Sequence, residues 1–328
     1  MRGLRQPYSA ESAAWPLSAC LVHADWSVSP SKRWAAWATP LEQGWRVDAL
    51  APVGDLADFR RRILDISGLF PILAGFDFPI GVPKVFGEKT GSAGFPDFLS
   101  SLDGPRWGRF SSVAREPWEI AIEQPFYPAS ARRGVRRASL ASGLGVEDFN
   151  DLLRVCERPT PTRRAACPLF WTLGGAQVGR AALSGWEGVV RPLIGEGAKL
   201  WPYGGDLKRL CDGPGIVIAE TYPAEAYAHV GVTFGPCQSK RRREDRLAHV
   251  PGILEWASRV GVDFAAPVLA ALADGFGARP DGEDRFDAFM GLLGMIEVAS
   301  GRRQEGKAPA DVAGWEGWIL GQAQPGEA

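Results

Sequence analysis

The chain has 328 residues, of which 45% are hydrophobic and 23% are charged, and its formal net charge is −1. These values are typical of a soluble globular protein and leave room for one large domain or two ordinary ones. The balanced charge excludes a global basic field of the kind that attracts nucleic acid, although local basic runs remain.

The cysteines and the hydropathy of the sequence indicate the cellular compartment in which we expect the protein. The sequence contains five cysteines: Cys20, Cys156, Cys167, Cys211 and Cys237. Their number is odd and none forms a C-x-x-C pair, so we expect no disulfide partner and no zinc site. This favours a reducing cytoplasm. No uncharged apolar stretch is long enough to span a membrane, and the first residues include no long apolar region that would indicate a signal peptide.

The first predicted elements are three strands, a helix and a fourth strand. They cover residues 20–26, 33–39, 45–50, 55–66 and 71–78 in that order. Short polar or glycine-containing links between the first three strands are typical of an antiparallel meander. In the helix, Leu56, Phe59, Ile63 and Ile66 share one apolar face.

Residues 81–213 break this rhythm with many prolines, glycines and arginines, and only two helices are predicted there, near 146–155 and 179–194. We interpret them as a large inserted subdomain of loops and short helices. The core resumes with a strand at 215–221 and helices at 224–230, 244–260, 266–273 and 283–300. The predicted division is therefore a discontinuous core of residues 18–80 and 214–303, an insertion of residues 81–213, and a tail of residues 304–328. We expect the tail to be loosely attached, with Trp315, Trp318, Ile319 and Leu320 as the residues that could dock it.

Acidic residues close three of the predicted strands. Asp25, Asp77 and Glu220 each stand at the C-terminal end of a strand, where open α/β sheets tend to bind ligands. Alternation along each strand groups these acids with His23, Gly75 and Ile218, respectively. Glutamate is depleted in buried strands, so Glu220 is unusual. Taken alone, each strand-terminal aspartate is more typical of a turn than of chemistry.

The last long helix adds two more acids on one side. Asp284 and Asp287 are three residues apart, and the same stripe continues through Gly291 and Gly294. Small residues there would let the helix approach the sheet and bring both acids near the strand ends. Carboxylates gathered in one place repel each other unless a cation lies among them, and Mg²⁺ or Mn²⁺ with oxygen ligands is the natural occupant.

These pieces resemble a known fold. Three strands, a helix and a strand, then a further strand and helices, with acids on the first and fourth strands, resemble the RNase H-like fold. D-R-F-D-A at 284–288 is similar to the paired-acid helix of RuvC-type resolvases. The segments A-D-W-S, G-F-D-F-P-I-G-V-P, E-T-Y-P-A-E-A-Y and E-D-R-F-D-A-F more closely resemble the prokaryotic family called domain of unknown function 429, whose members are predicted RNase H-like nucleases.

The resemblance implies a mixed five-stranded sheet flanked by helices, with the large insertion after the fourth strand. It also implies a metal-dependent nuclease that hydrolyses phosphodiesters at a two-metal carboxylate site. In that site Asp25, Asp77, Asp284 and Asp287 bind Mg²⁺ or Mn²⁺, and Glu220 is a further ligand or base. RuvC-type enzymes carry glutamate where this chain has Asp77.

The basic run Lys240, Arg241, Arg242 and Arg243 is the predicted nucleic-acid contact, although such runs are more commonly solvated surface. Two alternatives to the nuclease remain open. One is an actin-like ATP-dependent phosphotransferase on the same core, and the other is a non-catalytic nucleic-acid or protein-binding module that kept the fold.

Overall fold

A computed structural model describes residues 17–131, 133–160, 164–173, 178–278 and 280–324. Its centre is one mixed sheet of seven strands with the order β5-β6-β4-β1-β2-β3-β7. The strands are β1 (Cys20–Asp25), β2 (Trp34–Pro40), β3 (Trp45–Pro52), β4 (Pro71–Phe76), β5 (Lys199–Leu200), β6 (Gly215–Glu220) and β7 (Val262–Phe264). Strand β2 runs antiparallel to β1 and β3, and all other neighbours are parallel. The predicted α/β class with a mixed sheet is therefore confirmed.

Twelve α-helices occur in the described residues. They are α1 (Leu56–Ser67), α2 (Lys84–Gly87), α3 (Phe95–Ser101), α4 (Arg137–Gly143), α5 (Val178–Gly185), α6 (Arg191–Gly195), α7 (Leu207–Leu210), α8 (Pro223–His229), α9 (Arg243–Val260), α10 (Ala266–Ala273), α11 (Asp281–Ala299) and α12 (Ala313–Glu316). The predicted helix at 146–155 is wrong, because that stretch forms only the 3₁₀ turns Phe149–Leu152 and Val155–Glu157. The one predicted at 179–194 is found as α5, a π-helical turn at Trp186–Val190, and α6.

Two strands were not predicted. Strand β5 has two residues and β7 has three, too few to show an alternating pattern. Strand β7 forms because Gly261, at a φ of +73°, ends α9 in the left-handed region and turns the chain beside β3. The Trp45 amide then donates to the Gly261 carbonyl at 2.9 Å.

Each face of the sheet has its own apolar core. Val22 of β1 and Ala74 of β4 belong to the face covered by α1 and much of the 81–213 segment. That segment therefore packs directly on the sheet as one of its layers. Leu21 and Leu73 belong to the opposite face, which is covered by α9, α10 and α11. Helix α11 crosses β1 and β2, and this placement brings its acids to the strand ends.

The described part of the tail is firmly docked, contrary to expectation. Trp318, Ile319 and Leu320 are buried. Ile319 forms a parallel bridge with Glu220, and the Leu320 amide donates to the Glu220 carbonyl at 2.9 Å. The tail thus continues the hydrogen-bonding ladder beside β6 where β5 has ended. The tail's apolar residues are visible in the sequence, but no sequence pattern predicts their pairing with β6.

Candidate functional site

The ends of β1 and β4 place two aspartates side by side. Ala24 pairs with Phe76 across these parallel strands, so the next residues, Asp25 and Asp77, follow in one row. The Asp77 side chain is fixed by the Trp26 amide, which donates to its Oδ1 at 2.6 Å. The carboxyl groups of Asp25 and Asp77 lie within hydrogen-bonding reach of each other.

Two buried carboxyl groups at this spacing favour sharing a proton. Burial, followed by the charge of Asp77, raises the pKa of Asp25 well above its usual range. Burial also raises the pKa of Asp77 to about 7, although hydrogen bonds from Asp25 and from the Trp26 amide oppose this rise. The pair therefore titrates as a unit and resists carrying two negative charges.

Helix α11 brings the other two aspartates to this pair. Asp287 is buried and acts electrostatically on both Asp25 and Asp77, whereas Asp284 lies half-buried and acts on Asp25. Burial raises the pKa of Asp284 to about 6. The four aspartates therefore converge as the sequence predicted.

A close contact fixes α11 over β1. His23 Nδ1 donates to the Ala288 carbonyl at 2.9 Å, and a Cβ at Gly291 would meet the His23 ring at less than 3.0 Å. Gly291 therefore allows the close approach to the sheet that the stripe predicted. Gly294 instead faces Ala226 of α8. One turn of helix links Gly291 to Asp287, so this contact sets where the acid lies.

Asp287 is held by two side chains that the acidic pattern did not predict at this position. Tyr227 of α8 donates its hydroxyl to Oδ1, and Lys240 donates its ammonium to Oδ2. Lys240 Nζ also lies 3.2 Å from Glu283 Oε1. Burial raises the pKa of Asp287 despite the opposing charge of Lys240. Burial opposes the charge on Lys240, but Asp287 and Glu283 outweigh it and raise the pKa of that ammonium.

The chemistry of these side chains suits a hard divalent cation. Among the residues that the structure describes, no group of three or more His, Cys, Asp or Glu side chains is arranged to hold a metal ion. Both oxygens of Asp287 accept hydrogen bonds, one from Tyr227 and one from Lys240. The donors are all carboxylates, the ligands that Mg²⁺ and Mn²⁺ prefer, and a cationic ammonium already lies among them. The chemistry of these donors therefore fits such an ion.

Glu220 lies on the opposite face from the aspartates. It pairs with Phe76, one position before Asp77, and consecutive strand residues point to opposite faces. Its oxygens accept hydrogen bonds from both Arg154 Nη atoms, at 2.6 and 2.7 Å, and from the Ile80 amide at 2.7 Å. The grouping of Glu220 with the aspartates is therefore a wrong inference: alternation was right within each strand, but the register between strands decided the face.

The residue that takes the position predicted for Glu220 is Thr221. It follows Glu220 as Asp77 follows Phe76, and its amide donates to the Phe76 carbonyl at 2.8 Å. The Thr221 hydroxyl is buried without a hydrogen-bond partner in the described part of the chain. Neither Thr221 nor Tyr227 was singled out from sequence, although both belong to the segment E-T-Y-P-A-E-A-Y.

The predicted nucleic-acid contacts lie at the turn before α9 and at its first residue. Each is paired with a carboxylate: Lys240 with Asp287 and Glu283, Arg241 with Glu283, Arg242 with Asp245, and Arg243 with Asp274. Arg241 and Arg242 are exposed, with 80% and 54% of their side chains accessible. They are therefore accessible to an external phosphate, whereas Lys240 points into the acidic site.

Comparisons with protein-family models, with curated proteins and with solved structures found no match. All five cysteines are free thiols. No helix in the described ranges has the length and apolar character needed to cross a membrane.

Proposed function

We propose that this protein is a divalent-metal-dependent nuclease built on an RNase H-like core. The supporting framework is the run of strands β6-β4-β1-β2-β3, with a single antiparallel strand among them and a long helix across one face. This is consistent with the five-stranded core that the resemblance implies. Strands β5 and β7 extend that core at its two edges.

The observation that carries the proposal is the convergence of three buried or partly buried carboxylates from separate elements. Asp25 ends β1, Asp77 follows β4, and Asp287 comes from α11. Concentrating buried acids at one point destabilises their ionised forms, because burial disfavours each charge and Asp77, Asp287 and Asp284 repel the charge of Asp25. A turn or capping role explains any one of these acids but does not explain their convergence.

In the proposed reaction, Asp25, Asp77 and Asp287 would hold the ion, with Asp284 as an outer ligand. A bound Mg²⁺ or Mn²⁺ supplies an activated water and stabilises charge on a leaving oxygen. The chain supplies the rest. Tyr227 orients Asp287 through its hydroxyl, and Arg241 and Arg242 attract the phosphate backbone of the substrate.

The test is cleavage of fluorescent single-stranded DNA, duplex DNA and RNA in Mg²⁺ or Mn²⁺ by wild type, Asp25→Asn, Asp77→Asn and Asp212→Asn. Asp212 is an exposed acid shortly before β6, at the opposite strand end, and is the matched control. We expect cleavage by wild type and Asp212→Asn only. Cleavage that persists in Asp25→Asn and Asp77→Asn would contradict the proposal.

The same preparation separates the alternatives. Hydrolysis of ATP without cleavage of any polynucleotide would favour the actin-like phosphotransferase. Binding of polynucleotide that is indifferent to metal and to both aspartate variants would favour a non-catalytic module.

A further inference from the structure

The ammonium of Lys240 lies inside the acidic site and is held there by the surrounding fold. It donates to Asp287 and lies 3.2 Å from Glu283, both on α11. About one third of its side chain is accessible. Lys240 itself lies outside α11, in the turn before α9, so a separate element delivers this positive charge to the carboxylates.

The backbone of that turn is fixed by two residues of α9. The fully buried guanidinium of Arg246 donates to the Lys240 carbonyl and to the Gly275 carbonyl. Asp245 accepts from the Ser239 amide at 2.7 Å and from Arg242 Nε at 2.6 Å. The Ser239 amide and the Lys240 carbonyl are thus both anchored to α9.

Helix α11 leaves space for the side chain of Arg246. A Cβ at Gly282 would meet the Arg246 guanidinium at less than 3.0 Å. A glycine at the start of α11 therefore lets the helix carrying Asp287 and the arginine holding Lys240 pack together. The position of the ammonium is a property of the packed core, unlike that of a solvated surface lysine.

We infer that Lys240 is a built-in counter-cation of the acidic site, which a divalent cation displaces from Asp287 and which then binds a phosphate of the substrate. This inference rests on the proposed function. In the metal-free protein the ammonium offsets part of the repulsion among the aspartates. A metal ion competes for the same Asp287 oxygen, so its binding costs the lysine contact. The released side chain stays tethered at the site by its anchored backbone.

The first test is the affinity for Mn²⁺, measured by titration calorimetry without nucleic acid, for wild type, Lys240→Met and Arg241→Met. Methionine keeps the length of the lysine stem but removes its charge. Arg241→Met is the matched control, because Arg241 belongs to the same turn and pairs with Glu283 but not with Asp287. We expect Lys240→Met to bind Mn²⁺ about 10-fold tighter or more, and Arg241→Met to change little.

The outcomes distinguish a failure of the role inferred for Lys240 from a failure of the proposed metal-dependent nuclease. Equal affinities in wild type and Lys240→Met would overturn the role of Lys240 while leaving the metal site intact. If Lys240→Met binds the ion and wild type does not, the displacement of Lys240 by metal is overturned. If neither protein binds Mn²⁺ or Mg²⁺, both the inference and the metal-dependent nuclease fail.

A second test uses wild type only and does not depend on the variant folding. Acetylation by a soluble anhydride is followed by mass spectrometry, with and without Mg²⁺. Lys84 is the internal reference, because 34% of its side chain is accessible against 35% for Lys240. Its ion-pair partner, Glu88, lies on the surface. We expect Mg²⁺ to raise the labelling of Lys240 at least about threefold relative to Lys84. Labelling of Lys240 unchanged by saturating Mg²⁺ would overturn the inference.

Discussion

The ring of His23 lies directly against Gly291, so that β1 and α11 meet where neither side has room for another atom. Gly291→Ala would push the helix away from the sheet, and crowding of this kind costs about 1–3 kcal/mol. We expect a lower free energy of unfolding together with weaker metal binding, because Asp287 lies one turn away on the same helix. Urea unfolding and Mn²⁺ titration measure the two effects.

The control for this prediction is Gly252→Ala on α9. A Cβ there meets open space, so the same change should stabilise the protein by about 0.5–1 kcal/mol through helix propensity. Equal behaviour of the two variants would show that the contact with His23 does not limit the approach of α11.

Replacing Asp25, one member of the pair that it forms with Asp77, should weaken metal binding without lowering the stability of the metal-free protein. Asp25→Asn removes a carboxyl group whose ionised form is destabilised by burial and by the charges of Asp77 and Asp287. In the absence of metal at pH 8, the variant should unfold at the same temperature as wild type or at a higher one. Added Mg²⁺ should raise the unfolding temperature of wild type and of Asp212→Asn, but much less that of Asp25→Asn. A strongly destabilised metal-free Asp25→Asn would instead mark Asp25 as a structural turn residue.

The difference in unfolding temperature between metal-free Asp25→Asn and metal-free wild type should widen as the pH rises. The folded pKa of Asp77 is about 7 and that of Asp25 is also raised, so the native state holds more protons than the unfolded state between about pH 4 and pH 7. Stability from the pair is therefore present at low pH and lost as the pH rises through this range. Burial lowers the pKa of His23 to about 4, which acts in the opposite direction.

The comparison with Asp25→Asn cancels the histidine contribution, because the variant keeps His23. We expect the unfolding temperature of metal-free Asp25→Asn minus that of wild type to increase from pH 5 to pH 8. Scanning calorimetry measures it. A difference that is constant with pH would mean that the pair titrates normally.

The buried charges around Glu220 should contribute stability and not metal affinity. Arg154 is fully buried and bonded to Glu220 and Glu157. Arg154→Met would leave both carboxylates uncompensated, which typically costs about 3–5 kcal/mol. Arg61→Met removes an exposed pair with Asp58 and should cost less than about 1 kcal/mol. Urea unfolding measures both. Mn²⁺ affinity that falls sharply in folded Glu220→Gln would return Glu220 to the metal site.

The exposed arginines of the turn should govern the salt dependence of nucleic-acid binding. Replacing Arg241 and Arg242 together with alanine should weaken binding to duplex DNA and flatten the slope of log affinity against log salt by about 0.9 per lost contact. Replacing Lys208 and Arg209, exposed on α7, is the matched control. Fluorescence anisotropy across a salt series distinguishes them, and identical slopes in both double variants would remove the turn from the interface.

Local sequence patterns predicted the strands and the helix that form the site. Which side chains contact each other there depends on packing between segments that are distant in sequence. Strands β1 and β4 and helix α11 were found from buried apolar runs and helical spacing, and with them Asp25, Asp77 and Asp287. Glu220 was misplaced because strand register depends on pairing between distant segments, which alternation within one strand does not encode. The position of Lys240 depends in the same way on Arg246, whose own partners come from the loop after α10.

The docked tail has a consequence for the order in which the protein folds. Arg154 meets the carbonyl of Glu316 across 162 residues of sequence, and the amide of Lys84 meets its carboxylate across 232. Contacts of such separation form late, because closing the intervening loops is entropically costly. During synthesis, the hydrogen bond from Arg154 to Glu316 and the pairing of β6 at Glu220 must wait for residues 316–320 to emerge from the ribosome. Until then a nascent chain exposes an unfinished sheet edge, which is the stage at which it is most open to aggregation and to chaperones.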